Sequence, residues 1–79
     1  MLDKENILRL AQLYCNSYCA LSGYDRVILT LEDIDILLNP NLKPTSFSKT
    51  SHVKNLTENL FYHIKTRLIN NPETAYYNE

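Results

Sequence analysis

The sequence predicts an all-α, compact three-helix domain, long–short–long, with a Pro/Ser/Thr-rich loop before the last helix. Three observations carry that expectation. In the last third of the chain Val53, Leu56, Leu60, Ile64 and Leu68 recur three or four residues apart, which places them on one face of a 3.6-residue helix. The only glycine, Gly23, closes a first stretch with the same periodicity. Between the two, Thr30-Leu31-Glu32-Asp33 sets a hydroxyl at a helix start and an acid three residues on, the pattern of a capping box.

The first helix is expected from a cap at Asp3 to about Ser22. Ile7, Leu8, Ala11, Tyr14, Cys15, Tyr18, Cys19 and Leu21 form its apolar face, and Arg9, Gln12 and Asn16 fall on the opposite side. Gly23 supplies a left-handed C-cap. Arg26-Val27-Ile28-Leu29 is β-branched and apolar, but one strand has no partner in so short a chain, so it reads as a buried linker or a short helical turn.

The second helix starts at Thr30, with Leu29 and Ile34 spaced as a hydrophobic staple. Glu32 and Asp33 complement its positive end. It buries Leu31, Ile34, Leu37 and Leu38, and it ends at Asn39, because the residue before Pro40 is pushed out of the helical region. Residues 39–51 are a polar stretch with two prolines, interrupted by Phe47, which either anchors the loop to the core or opens the third helix. That helix starts near Pro44-Thr45-Ser46 or near Thr50-Ser51 and ends near Asn70-Asn71-Pro72. The expected core is Ile7, Leu8, Ala11, Cys15 and Tyr18 on helix one, Leu31, Ile34 and Leu38 on helix two, and the stripe from Val53 to Leu68 on helix three.

Seventy-nine residues accommodate one domain, expected over 1–72, with a short tail at 73–79. A chain this short buries only roughly 60% of the surface its unfolded form exposes, so self-association would add stability. No apolar run reaches the ~18 residues of a membrane span. Charged residues open the chain without a following apolar stretch, so no signal peptide is expected and the cytoplasm is the expected setting. Nine asparagines and six tyrosines fit an AT-rich genome, such as that of a phage or mobile element.

Chemistry is sparse. Cys15 and Cys19 with His52 and His63 would make a zinc set, but the two histidines are eleven residues apart, roughly 16 Å along a helix at 1.5 Å per residue. The cysteines lie on the apolar face of helix one, where a thiol behaves as a small hydrophobe. One glycine rules out a glycine-rich phosphate loop. The sequence therefore predicts no catalytic residue, no cofactor and no metal, and a protein that is not an enzyme.

The net charge of −1 is unevenly spread. Residues 1–39 carry three basic against six acidic groups; residues 40–70 carry Lys43, Lys49, Lys54, Lys65 and Arg67 against Glu58 alone. The basic half suggests a recognition surface. Its candidate residues are Lys49, His52, Lys54 and Lys65, with Tyr62, His63, Arg67 and Ile69. Tyrosine brings apolar area and a polar handle to interfaces, and both Tyr62 and Ile69 lie away from the buried stripe. The expected function is binding to another protein, regulatory or inhibitory, through helix three and the loop before it. The alternatives are a small DNA-binding regulator using the same basic residues, and a self-assembling structural protein in which the opposed charged halves of two copies pair. A negative net charge and a loop far longer than a helix-turn-helix turn weigh against DNA.

Overall fold

The computed structural model describes residues 3–39, 41, 44–47 and 54–71. Over these residues the chain is all-α, with α1 at Lys4–Ser22, α2 at Leu31–Leu38 and α3 at Lys54–Ile69, and a single 3-10 turn at Pro44–Ser46. Among the described residues there is no strand, and no helix is long and apolar enough to cross a membrane.

Local chemistry sets the helix ends. The Asp3 carboxylate accepts hydrogen bonds from the backbone N–H of Glu5 at 3.1 Å and Asn6 at 3.2 Å, two of the donors a helix start leaves unpaired. At the other end Gly23 has φ 75°, and the N–H groups of Gly23 and Tyr24 both reach the Cys19 carbonyl. A side chain in that left-handed region costs about 1–2 kcal/mol. At α2 the capping box is reciprocal. The Asp33 N–H donates to Thr30 Oγ1 at 3.3 Å, and the Thr30 N–H donates to Asp33 Oδ2 at 2.9 Å. Asn39 ends the helix in an extended conformation ahead of Pro40, its N–H bonded to the Asp35 and Ile36 carbonyls.

The core is built from straight rows. Ile7, Ala11, Cys15 and Cys19 lie four apart on α1, and Leu56, Leu60, Ile64 and Leu68 four apart on α3, all buried. Tyr18 meets His63 while Tyr14 meets Arg67 and Asn71, so contacts that move up α1 move down α3: the two long helices run antiparallel. Lys4 pairs with Asp35 on the surface between α1 and α2, where an exposed ion pair contributes little.

The segment from Tyr24 to Thr30 is an extended connector, not a helical turn. Val27 and Leu29 point inward and Ile28 outward, the alternation of an extended chain. What holds it is Gln12, which the sequence reading placed on the outer side of α1. Its amide donates to the Val27 carbonyl at 2.8 Å and to Asn16 Oδ1 at 2.9 Å, and it accepts from the Leu29 N–H at 2.8 Å. One side chain thus satisfies two backbone groups that a neighbouring strand would otherwise pair.

Several core expectations change. Leu21 is 88% exposed, because two residues beyond Cys19 turns a side chain by about 200° to the far side of the helix. Leu31 is 44% exposed: the buried arc of α2 centres on Asp33 and Leu37, and Leu31 lies past its Ile34 edge. Ile36, Phe47 and Phe61 are buried instead. Phe47 follows the 3-10 turn, outside α3, and its ring meets Phe61 edge-on at 5.5 Å. That contact widens the buried stripe of α3 toward Thr57 and Phe61. Leu8, Tyr18 and Leu38 are half-buried against the core. The expected core residue Val53, like residue 72 and the expected tail at 73–79, lies outside the described residues.

Candidate functional site

On α3, Asn59, Tyr62, His63, Thr66 and Arg67 share one face, because their spacings are those of successive helical turns. Opposite them α1 presents Tyr14. Between the two elements runs an open groove of about 750 Å³, continued by Asn70 and Asn71 just past the helix end.

A chain of contacts fixes its wall. The Tyr18 and His63 rings lie 4.9 Å apart, tilted by 47°. His63 Nε2 accepts from Arg67 Nε at 3.1 Å, an i, i+4 contact that places the imidazole proton on Nδ1. The Arg67 guanidinium stands 6.0 Å from the centre of the Tyr14 ring, within cation–π range. The Tyr14 hydroxyl accepts from Asn71 Nδ2 at 2.6 Å, closing the path from α1 to the end of α3. Burial, and then the adjacent Arg67 charge, hold the His63 pKa below its ordinary value, so the imidazole is neutral at pH 7. A neutral Nε2 keeps the lone pair that Arg67 Nε requires.

The structure separates the expected surface into parts. Tyr62, His63 and Arg67 line the groove, with Tyr62 57% exposed. Lys65 does not: its ammonium lies 5.2 Å from the centre of the Phe61 ring, on the side of the 3-10 turn. Ile69 is half-buried and outside the groove lining, so it is not a free apolar contact. Lys49 and His52 lie outside the described residues, as does the side chain of Lys54, whose backbone begins α3. Tyr14, Asn59, Thr66, Asn70 and Asn71 join the groove without having been singled out. The α3 members were accessible from helical spacing; Tyr14 was not, since it is 57 residues from the Asn71 it bonds.

A second, smaller hollow of about 370 Å³ lies between α1 and the connector, lined by Leu8, Leu13, Leu29 and Gln12 with Glu5 and Arg9. Leu13, Ile28 and Leu31 are exposed at 57%, 53% and 44%. The two cysteines belong to the core. Burial, with Cys19 beside it, pushes the Cys15 thiol up to about 12, and the thiol donates to the Val27 carbonyl at 3.4 Å. An activated thiolate needs the opposite surroundings. Among the described residues no three His, Cys, Asp or Glu side chains gather in a way that would hold a metal ion.

Fold and groove together define a small helical protein with a preformed polar and aromatic cleft. No family model, curated protein or solved structure matches the chain.

Proposed function

We propose that this is a non-enzymatic binding protein, regulatory or inhibitory, that engages another protein through the groove between α1 and α3. The observation that carries the reading is Arg67. Its Nε is anchored on His63 and its guanidinium lies within cation–π range of the Tyr14 ring, so the side chain has lost part of its freedom before any partner arrives. Beside it stands Tyr62, more than half exposed and braced edge-on by Phe61 at 5.3 Å. Arginine and tyrosine held in this way are the residue types that dominate binding energy at protein interfaces. Phage or mobile-element origin, read from the asparagine and tyrosine content, completes the proposal, with action in a reducing cytoplasm, which two free buried thiols suit.

The experiment is capture from the native host with the tagged full chain, followed by mass spectrometry, using wild type, Tyr62→Ala and Arg67→Ala. Far-ultraviolet circular dichroism establishes that the variants remain folded. A partner recovered by wild type and reduced at least about tenfold by each substitution, about 1.4 kcal/mol apiece, is the expected result. Equal recovery by all three proteins refutes the proposal.

A further inference from the structure

We infer that the ligand of this groove is an acidic peptide segment whose carboxylate seats on the outer edge of Arg67. The inference rests on the reading of the groove as the binding surface and adds the chemistry of what fills it. Arg67 spends its Nε on His63, and its guanidinium lies within cation–π range of Tyr14. What it still offers is the end-on pair of Nη groups, a planar fork whose spacing matches the two oxygens of a carboxylate.

Charge points the same way. Among the described residues, the groove lining contains Arg67 and no acid to neutralise its guanidinium. Asp3 at the start of α1, and Asp33 and Asp35 of α2, are engaged at helix caps or with Lys4. Arg67 also sits in the last turn of α3, where the helix carbonyls present partial negative charge. That field holds the site at no more than one positive charge, which suits a single carboxylate better than a doubly charged phosphate. Lys65, the nearest other cation on α3, is turned away onto Phe61, so among the described residues the groove lining has one cation, short of the repeated cations with which nucleic acid is gripped.

The remaining lining fits a peptide. Asn59 and Asn70 bracket Arg67 along the groove, and each amide supplies both a donor and an acceptor for peptide backbone. Tyr62 offers ring area to an apolar residue beside the acid. From Asn59 to the end of α3 at Ile69 the groove runs about 15 Å at 1.5 Å per residue, the length of about four to five extended residues at 3.3 Å each.

The test is an NMR titration of the full ¹⁵N-labelled chain with two capped peptides of about seven residues, identical except that one carries a central glutamate pair flanked by leucines and the other the matching glutamines. Taken to about 5 mM, the titration detects even millimolar affinity. The glutamate peptide is expected to shift the Arg67 Nε–H, Tyr14 and Asn70 signals and to bind at least about tenfold tighter than the glutamine peptide. Arg67→Gln should erase that difference, and Arg67→Lys should restore only part of it, since lysine keeps the charge without the fork. Equal binding of the two peptides, binding of neither, or preference surviving in Arg67→Gln overturns the inference. So does a single-stranded oligonucleotide of matched charge that binds this face more tightly at about 0.15 M salt. A host partner lost with Tyr62→Ala but retained with Arg67→Gln would sink the carboxylate inference alone; a partner indifferent to both would sink the proposed function.

Discussion

Replacing Gln12 with alanine removes the one amide that holds the Tyr24–Thr30 connector to α1. The wild-type side chain donates to the Val27 carbonyl and accepts from the Leu29 N–H, both at 2.8 Å. Each such bond contributes about 1 kcal/mol net, and a buried donor left unmade costs a further 1–3 kcal/mol or so. Leu29 is 5% exposed, so its N–H faces that penalty, while the Val27 carbonyl keeps the Cys15 thiol at 3.4 Å. The half-buried position of Gln12 lets water recover part of the loss, giving an expected cost of about 2–3 kcal/mol. A chain of 79 residues at about 0.05–0.15 kcal/mol per residue has only about 4–12 kcal/mol in total. The midpoint of thermal unfolding should therefore fall by roughly 8–24 °C, read by circular dichroism with urea titration as a second measure. Gln12→Glu keeps an acceptor for Leu29 but opposes the Val27 carbonyl with a carboxylate, so it should be more destabilising at pH 7 than at pH 4, where protonation restores a donor. A Gln12→Ala protein within about 0.5 kcal/mol of wild type would refute the reasoning and show that the Val27 and Leu29 side chains alone hold the connector.

The remaining predictions concern the core and the groove. Phe47→Ala should cost about 3–5 kcal/mol, because a fully buried ring in edge contact with Phe61 leaves a cavity; Phe47→Leu should cost much less, and a urea series on both compares them. His63 is held below its ordinary pKa of 6.5, so the unfolded chain takes up a proton first as pH falls. Its contribution to stability is complete above pH 6.5 and declines as pH drops through that value toward the lowered folded one; His63→Gln should remove this part of the pH profile, as read by unfolding free energy from pH 7.5 to 5. The Cys15 thiol, pushed up to about 12, should resist iodoacetamide at pH 8 in the folded protein and react once urea unfolds it, with labelling followed by mass spectrometry.

The parts of this fold written in short-range chemistry were legible. Asp3, Gly23, Thr30 with Asp33, and Asn39 before Pro40 each act within a few residues, and each sets a helix end where the sequence reading put it. Periodicity located the rows on α1 and α3, but it does not say how wide a buried face is. Leu31 was placed inside although α2 turns it out, and Phe61 was left off the stripe because its burial depends on Phe47, fourteen residues away. Gln12 was misplaced for the same reason: polar character reads as solvent-facing, and its partners lie 15 and 17 residues along the chain. The groove divides on this principle. Its α3 side follows from helical spacing, whereas the partnership of Tyr14 with Arg67 and Asn71 exists only once α1 and α3 pack antiparallel.

Mapping the bound surface by NMR tests the central claim most directly. With the ¹⁵N-labelled protein and the partner recovered from the host, the signals of Tyr14, Tyr62, His63, Arg67 and Asn70 should move together. Shifts confined to the Leu13, Ile28 and Leu31 face, with the groove signals unmoved, would contradict it.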